Sequence, residues 1–396
     1  MKKTLINTTC GLAFVFSVQA YASGLYLYEV GTEDVGLAGA GQAARAQDAG
    51  TIVSNPAGLT RLQGDHLTLG GQALYGDAHY NLDGNGKGPG NVIGWFPGAS
   101  SFLSHSINDD VKIGLGMYGN YGLGLHFDDW AGSQLIKDST LIALTFQPVI
   151  AWKIGDKWSI GGGPGINYGL FSLKRDTADG EQKSDDHDWA LNGKLGLMFE
   201  LSDMTRFGIT YTSKTKYDFD VKTDATLNRL PGSPTYSLPL GAAVQTPQQL
   251  MFSAFHQMNS QWALLADLGW QDWSAYSGSE TSVASRPLQS KDRLKDTWHT
   301  ALGVQFQATP DLRLNSGIAY DSSFYKNQDD TSITMPSGDA WRWGVGAQYQ
   351  LTKQSSFGGA FEYMSMQSST VSDSVLGGTY DHPKLYFFTA NYSYSF

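Results

Sequence analysis

Cysteine is almost missing: Cys10 is the only one in 396 residues, which excludes a disulfide scaffold. Charge is sparse, at 16% of residues against roughly 25% in soluble domains. Cations are the minority, 27 Lys and Arg to 37 Asp and Glu, so the basic footprint of a nucleic-acid binder is absent. No apolar run reaches about 18 residues, which excludes a polytopic helical membrane protein. The 47 glycines follow no three-residue period, which excludes collagen. What the chain does have is aromatic: 20 Tyr, 19 Phe and 11 Trp argue against disorder. Little charge, much glycine and many aromatics without long apolar runs point to an all-β chain.

The first residues read as an export signal. Lys2 and Lys3 form a positive start, Gly11 to Val18 an apolar stretch, and Ala20-Tyr21-Ala22 a small-x-small cleavage site. Residues 1–22 are therefore expected to be removed, Cys10 with them. Cys10 precedes the apolar stretch and has no Leu three residues before it, so a lipoprotein is not indicated.

From about residue 65 onward, apolar residues alternate with polar or small ones. Leu195, Leu197, Phe199 and Leu201 share one face, with Lys194, Gly196, Met198 and Glu200 on the other. Trp262, Leu264, Ala266, Leu268 and Trp270 oppose Asp267, Gly269 and Gln271. This period of two is a strand with two different faces. A soluble sandwich also alternates. Three features favour a membrane barrel: strands long enough to cross when tilted, apolar faces ending in Trp or Tyr, and connections that alternate short and long.

Strands are expected at 65–77, 92–106, 109–127, 138–155, 157–174, 187–202, 204–220, 247–258, 261–276, 294–308, 311–325, 339–352, 355–368 and 382–396, fourteen in all. Tight turns (INDD, IGDK, SDM, MNSQ, ATPD, TKQS) follow the even strands, and longer polar loops follow the odd ones. Short turns belong on the periplasmic side of an outer-membrane barrel. The last strand alternates aromatics up to the terminal Phe396, a pattern similar to the signal read by the barrel assembly machinery. The fold expected is a 14-stranded antiparallel transmembrane β-barrel in a Gram-negative outer membrane, closed so that no strand edge is left unpaired.

Residues 23–64 do not alternate. They are rich in Gly and Ala, suited to tight turns and short helices. About forty residues build no domain of their own, and fourteen strands enclose more space than their side chains fill. An N-terminal plug inside the barrel of residues 65–396 is expected. Gly39-Ala40-Gly41 echoes a dinucleotide fingerprint, but no βαβ unit surrounds it.

The segment Gly24–Leu59 resembles the N-terminal hatch of the FadL/TodX family of outer-membrane transporters for long-chain fatty acids and other hydrophobic compounds. The matching residues are Gly36 to Gly41, Asp48-Ala49 and Asn55-Pro56-Ala57; Asn120-Tyr121-Gly122 followed by FDDWAG is similar too. The resemblance implies that Asn55, Pro56 and Ala57 lie where the hatch shifts. It also implies an inward kink in the third strand. Glycines 114, 116, 119, 122 and 124 permit a bulge there. Gly119, Asn120, Tyr121, Gly122 and Gly124 would then frame a side window for release into the membrane. In that family the loops after the fifth and seventh strands form an apolar landing groove. Here the first of them (DTADGEQKSDD) is polar, while residues 221–246 offer Leu227, Leu230, Leu238, Leu240 and Val244.

The inward faces carry few charges and several apolar groups, unlike the charged rings of a polar-solute porin. Phe171, Leu173, Met198, Met251, Phe255, Leu265, Met364, Leu385 and Phe387 fall inward by parity. They pack the hatch or line a greasy passage. Arg175, Lys194, Arg313 and Arg342 also fall inward. They can meet a ligand carboxylate in a bidentate fork, or pair with acids such as Glu200, Asp267 or Asp48. Asp185-Asp186-His187-Asp188, and His126 with Asp128 and Asp129, read as solvated loop charges rather than metal sites. No Ser and His are singled out by spacing, so no enzyme, cofactor or metal is expected. A monomeric, passive transporter is. Fatty acids are the first ligand class, with aromatic hydrocarbons or a general porin as alternatives.

Overall fold

The computed structural model describes residues 28–177, 180–226, 235–276, 281–283, 286–288, 294–329, 331–372 and 376–396. The expected signal peptide (1–22), the first five residues of the expected hatch, and Leu227 and Leu230 lie outside them.

Fourteen antiparallel strands close into one barrel. In chain order they are β1 (His66–Asp77), β2 (Gly94–Ser106), β3 (Val111–His126), β4 (Asp138–Ile154), β5 (Trp158–Thr177), β6 (Gly180–Ser202) and β7 (Thr205–Thr212). Then come β8 (Gln249–Gln257), β9 (Trp262–Gln271), β10 (Thr297–Thr309), β11 (Leu312–Asp321), β12 (Ala340–Gln350), β13 (Ser355–Met366) and β14 (Lys384–Ser395). β14 closes the wall against β1, from His66 opposite Ser395 to Asp77 opposite Lys384.

Alternation sorts the side chains. Outward lie large apolar groups such as Trp189 (63% exposed), Leu191 (71%) and Leu302 (64%), together with Trp152, Trp298 and Trp341. A continuous apolar coat of this extent is foreign to a soluble monomer and natural against lipid. Inward lie Phe171, Leu173, Lys194, Met198, Phe255, Leu265, Arg342, Met364, Leu385 and Phe387, all buried.

Four connections differ from the alternation reading. The stretch 176–186 is not a loop: β5 and β6 stay paired up to Thr177 opposite Gly180. Asp185, Asp186, His187 and Asp188 therefore stand on a ladder strand. The ladder continues past the lipid because backbone pairing does not require an apolar face. The seventh strand leaves the barrel at Thr212. The chain then forms a separate hairpin, Thr215–Thr226 against Thr235–Thr246, where a long loop was expected. Tyr217 and Phe219 are buried there and keep the same alternation, so periodicity does not mark the break. The ninth and eleventh strands end early, at Gln271 and Asp321.

The segment before β1 holds three short helices, α1 (Thr32–Gly36), α2 (Gln42–Arg45) and α3 (Thr51–Ser54), and a 3-10 helix (Pro56–Arg61). It packs against inward strand faces on several sides of the barrel. A Cβ at Gly208 of β7 would overlap the Ala43 carbonyl, and one at Gly317 of β11 the Leu37 carbonyl. Glycine in these strands is there because hatch backbone comes that close.

Candidate functional site

The hatch is tied down by wall side chains. The Asp267 carboxylate accepts the backbone N–H groups of Gly41 (2.8 Å) and Gln42 (3.2 Å) at the start of α2. Arg206 donates to the Ala44 carbonyl at 2.6 Å, Lys194 to that of Val53, and Thr210 to that of Ser54 at 2.8 Å. Asn55, fully buried, has three bonds. Its Nδ2 donates to the carbonyls of Ala43 (2.6 Å) and Leu197 (3.1 Å), and its Oδ1 accepts from Ala57 N (3.1 Å). Pro56 follows at the first helical position, where its missing N–H leaves no bond unmade. The tripeptide thus caps the 3-10 helix and pins it to β6.

The inward residues expected to line a passage divide into two groups. Phe255 and Leu265 pack Leu37, Ala38, Ala40 and Ala44 of the hatch, and Met198 packs Ala46 and Ala57. Arg313 pairs with Glu33 of the hatch, and Arg342 with Glu29, Asp321 and Glu362. Arg175 bonds Gln182 near the top of β5 at 3.0 Å. Of the acids weighed as partners, Asp267 holds α2 and Glu200 pairs with Arg61 at 2.7 Å. Phe171 and Leu173 belong instead to a large apolar cluster above the hatch, with Leu125, Leu141, Tyr217, Phe219, Val244, Leu385 and Phe387.

The wall opens beside that cluster. β2 and β3 pair only from Ser106 opposite Lys112 up to Ser100 opposite Tyr118. Above that point Gly94–Ala99 stays with β1, while Gly119–His126 stays with β4. The β3–β4 register slips between Gly119 and Tyr121, so Asn120 is the extra, bulged residue. Pro97 and Gly98, poor ladder formers, stand in the stretch of β2 that pairs with β1 and has no partner on its β3 side. Phe96 reaches across the split: Cβ atoms at Gly122 and Gly124 would lie 3.4 and 3.3 Å from its ring.

A groove of about 760 Å³ runs beneath this split, lined outward by Ala99, Met117, Leu144, Phe146, Ile166, Tyr168 and Trp189. Ser100, Tyr118 and Thr145 from the lumen face form its floor. The β4–β5 ladder is also interrupted nearby, between Phe146 opposite Ile166 and Ile150 opposite Gly162. There Gln147 Nε2 donates to the Pro164 carbonyl at 3.1 Å. Phe96, Ser100 and the Gln147 bridge were not legible as site residues; the Pro97-Gly98 pair was the one available signal.

The periplasmic face of the hatch is different. A cavity of about 480 Å³ there is lined by Gln47, Gln257, Gln305, Gln307, Asn259 and Arg313. Gln47 and Gln305 exchange two amide bonds of 2.9 and 3.0 Å across it. On the outer side, Lys137 joins the loop after β3 to the β5–β6 hairpin, pairing with Asp129 at 2.7 Å, Asp176 at 3.2 Å and Glu181 at 3.3 Å. The hydrogen bond from Lys137 holds the Asp129 carboxyl below the usual carboxylate range, and the same bond raises the Lys137 ammonium. Among the described residues no group of His, Cys, Asp and Glu is placed to hold a metal.

Residues 13–396 match the family described as outer membrane protein transport protein (OMPP1/FadL/TodX). The long-chain fatty acid transport protein of Escherichia coli (strain K12) is 26% identical, with 96% of each chain covered. Outer membrane protein P1 of Haemophilus influenzae is 23% identical over 87% of this chain and 86% of its own. Among solved structures, a Pseudomonas aeruginosa FadL homologue superposes with a TM-score of 0.78 at 19% identity, covering 94% of this chain and all (100%) of that one. The Pseudomonas putida toluene transporter TodX gives 0.72 at 16% identity, with 95% and 100% covered. At these identities the structures speak for the fold. Together with the fourteen-stranded barrel and its filled lumen, the family match places the chain: it belongs to the OMPP1/FadL/TodX family of outer-membrane transport proteins, β-barrel transporters of hydrophobic compounds.

Proposed function

We propose that this protein carries hydrophobic molecules, long-chain fatty acids first among them, passively across the outer membrane and releases them sideways into the bilayer. The observation that carries the route is the split between β2 and β3 above Ser100 and Tyr118, with an apolar groove running to the lipid face. An apolar cluster lies above the hatch, and glutamines line the space below it. A greasy solute leaving downward would have to displace amide–amide bonds and then enter water. Leaving through the groove, it stays among apolar side chains and ends in hydrocarbon, where burial is worth about 25 cal/mol per Å² of apolar surface. In this reading Asn55-Pro56-Ala57 is where the hatch shifts, and Gly119 to Gly124 edge the exit. Support for fatty acids comes from the relatives named as long-chain fatty acid transport proteins.

A second reading, aromatic hydrocarbons, has its own support. Lys194, Arg313 and Arg342 are already engaged by the chain's own groups, which suits a neutral ligand. Structural relatives include toluene transporters. Uptake of a radiolabelled long-chain fatty acid, toluene and a sugar, by cells with and without the gene, tests both. Gene-dependent fatty-acid uptake with sugar unaffected is expected. Gene-dependent toluene uptake alone keeps the lateral route and discards the carboxylate. Dependence of sugar uptake alone overturns the proposal in favour of a porin.

A further inference from the structure

The cavity on the periplasmic side of the hatch lies off the sideways route, and its lining has a chemistry of its own. It measures about 480 Å³, the size of a small-molecule site. Gln257 at the end of β8, Gln305 and Gln307 near the end of β10 and Arg313 at the start of β11 stand around it, all beside short periplasmic turns. Ladder register sets these side chains next to one another. Gln257 stands opposite Ala263 and Ala263 opposite Gln305, so a single methyl group separates two long amides and leaves room between them. Gln307 stands opposite Arg313, with Cβ atoms about 5 Å apart by the geometry of such cross-strand pairs.

Two of the amides are half used. Gln257 Nε2 donates to the carbonyls of Asn259 (2.7 Å) and Trp262 (3.2 Å), and Gln307 Nε2 to those of Thr309 (2.8 Å) and Pro310 (3.3 Å). These bonds fasten the turns and fix which end of each amide is the nitrogen. They leave the two oxygens as acceptors with no donor on them among the described residues. Arg313 has one nitrogen on Glu33, no hydrogen-bond partner at Nε among the described residues, and 24% of its side chain exposed. Holding the turns together accounts for the glutamine nitrogens and leaves the oxygens and the guanidinium over.

We propose that this cavity is a periplasmic binding site for a zwitterionic amino-acid group, separate from the hydrophobic route. Fixed acceptors beside a guanidinium suit two opposite charges on one ligand. The ammonium donates to the oxygens of Gln257 and Gln307, and the carboxylate accepts from Arg313. An ammonium alone meets the repulsion of the guanidinium. An apolar molecule takes water from these groups and returns no hydrogen bond. A zwitterion satisfies both kinds of group and brings no net charge to the Arg313–Glu33 pair. Two sources offer this chemistry beneath an outer membrane: free amino acids, and the diamino-acid ends of cell-wall stem peptides.

The test is equilibrium binding of radiolabelled meso-diaminopimelate to the purified mature protein in lipid nanodiscs, beside pimelate, which has the carboxylates without the ammonium groups. Wild type is expected to bind meso-diaminopimelate saturably and pimelate at least tenfold more weakly. This comparison needs no variant to fold. Gln257→Leu and Gln307→Leu each remove one acceptor and should weaken binding of meso-diaminopimelate about tenfold, as expected for one hydrogen bond to a charged group, with the barrel's thermal unfolding unmoved. No binding by wild type, equal binding of pimelate, or undiminished binding by both leucine variants in folded barrels overturns the proposal. Isolated cell-wall sacculi tell the sources apart. Wild type that sediments with sacculi and is released by meso-diaminopimelate upholds the site with the wall as its source. Binding of the free diamino acid without sedimentation upholds it with free amino acids.

Discussion

At the scale of single residues, parity placed side chains on the correct face but could not say what they meet there. Phe171 and Arg342 both point inward as expected; one joins an apolar vestibule and the other is covered by hatch and wall acids. The difference lies in contacts between residues far apart in sequence, such as Asn55 with Leu197, which no local period encodes. Asn55 shows what such a contact does. Replacing it by Ala removes three hydrogen bonds, the cap of the 3-10 helix among them, and takes the donor from the buried carbonyls of Ala43 and Leu197. A local loss of about 1–3 kcal/mol is expected, by the cost of leaving buried polar groups unpaired. Faster hydrogen exchange at the amides of residues 57–62, with the barrel's thermal unfolding unmoved, would bear this out. A barrel that melts together with the hatch would show instead that the two fold as one unit.

At the scale of elements, the fourteen strands were legible because lipid on one side and a filled lumen on the other enforce a period of two. Their upper ends were not, because outside the lipid that demand lapses while backbone pairing continues, as it does in β5 and β6 up to Thr177 and Gly180. The glycines of β3 announced an irregular strand; the partner that covers them, Phe96, came only with the structure. It makes the exit testable from both sides. A bulky side chain at Gly122 would meet the Phe96 ring and fill the split, so Gly122→Phe should reduce ligand uptake severalfold without unfolding a barrel in which that stretch of β3 keeps its β4 ladder and has no β2 ladder to lose. Phe96→Ala removes the ring and should preserve or raise uptake. Equal uptake by Gly122→Phe and wild type would dismiss the split as the route.

At the scale of the whole molecule, closure and filling are separate problems with separate solutions. The wall closes without the hatch: every barrel strand pairs on both sides for at least part of its length, β2 with β3 only below the split, and β1 meets β14 over its full length. The hatch does not stand by itself: its helices span only four to six residues each, too short to persist alone, and they depend on Asp267, Arg206, Lys194 and the glycine faces of the strands. Deleting residues 28–61 should therefore leave an inserted barrel and remove what fills it. The freed lumen would present Asp267, Arg206, Lys194, Arg313 and Arg342 to water, a polar channel in place of a stoppered one. In planar bilayers the truncated protein is expected to conduct small ions steadily where the full chain is nearly closed, and cells that carry it should admit small polar solutes. If conductance stays at the full-chain level while the truncated barrel is still inserted, the wall itself closes the pore, and the hatch acts in ligand handling and not as a stopper.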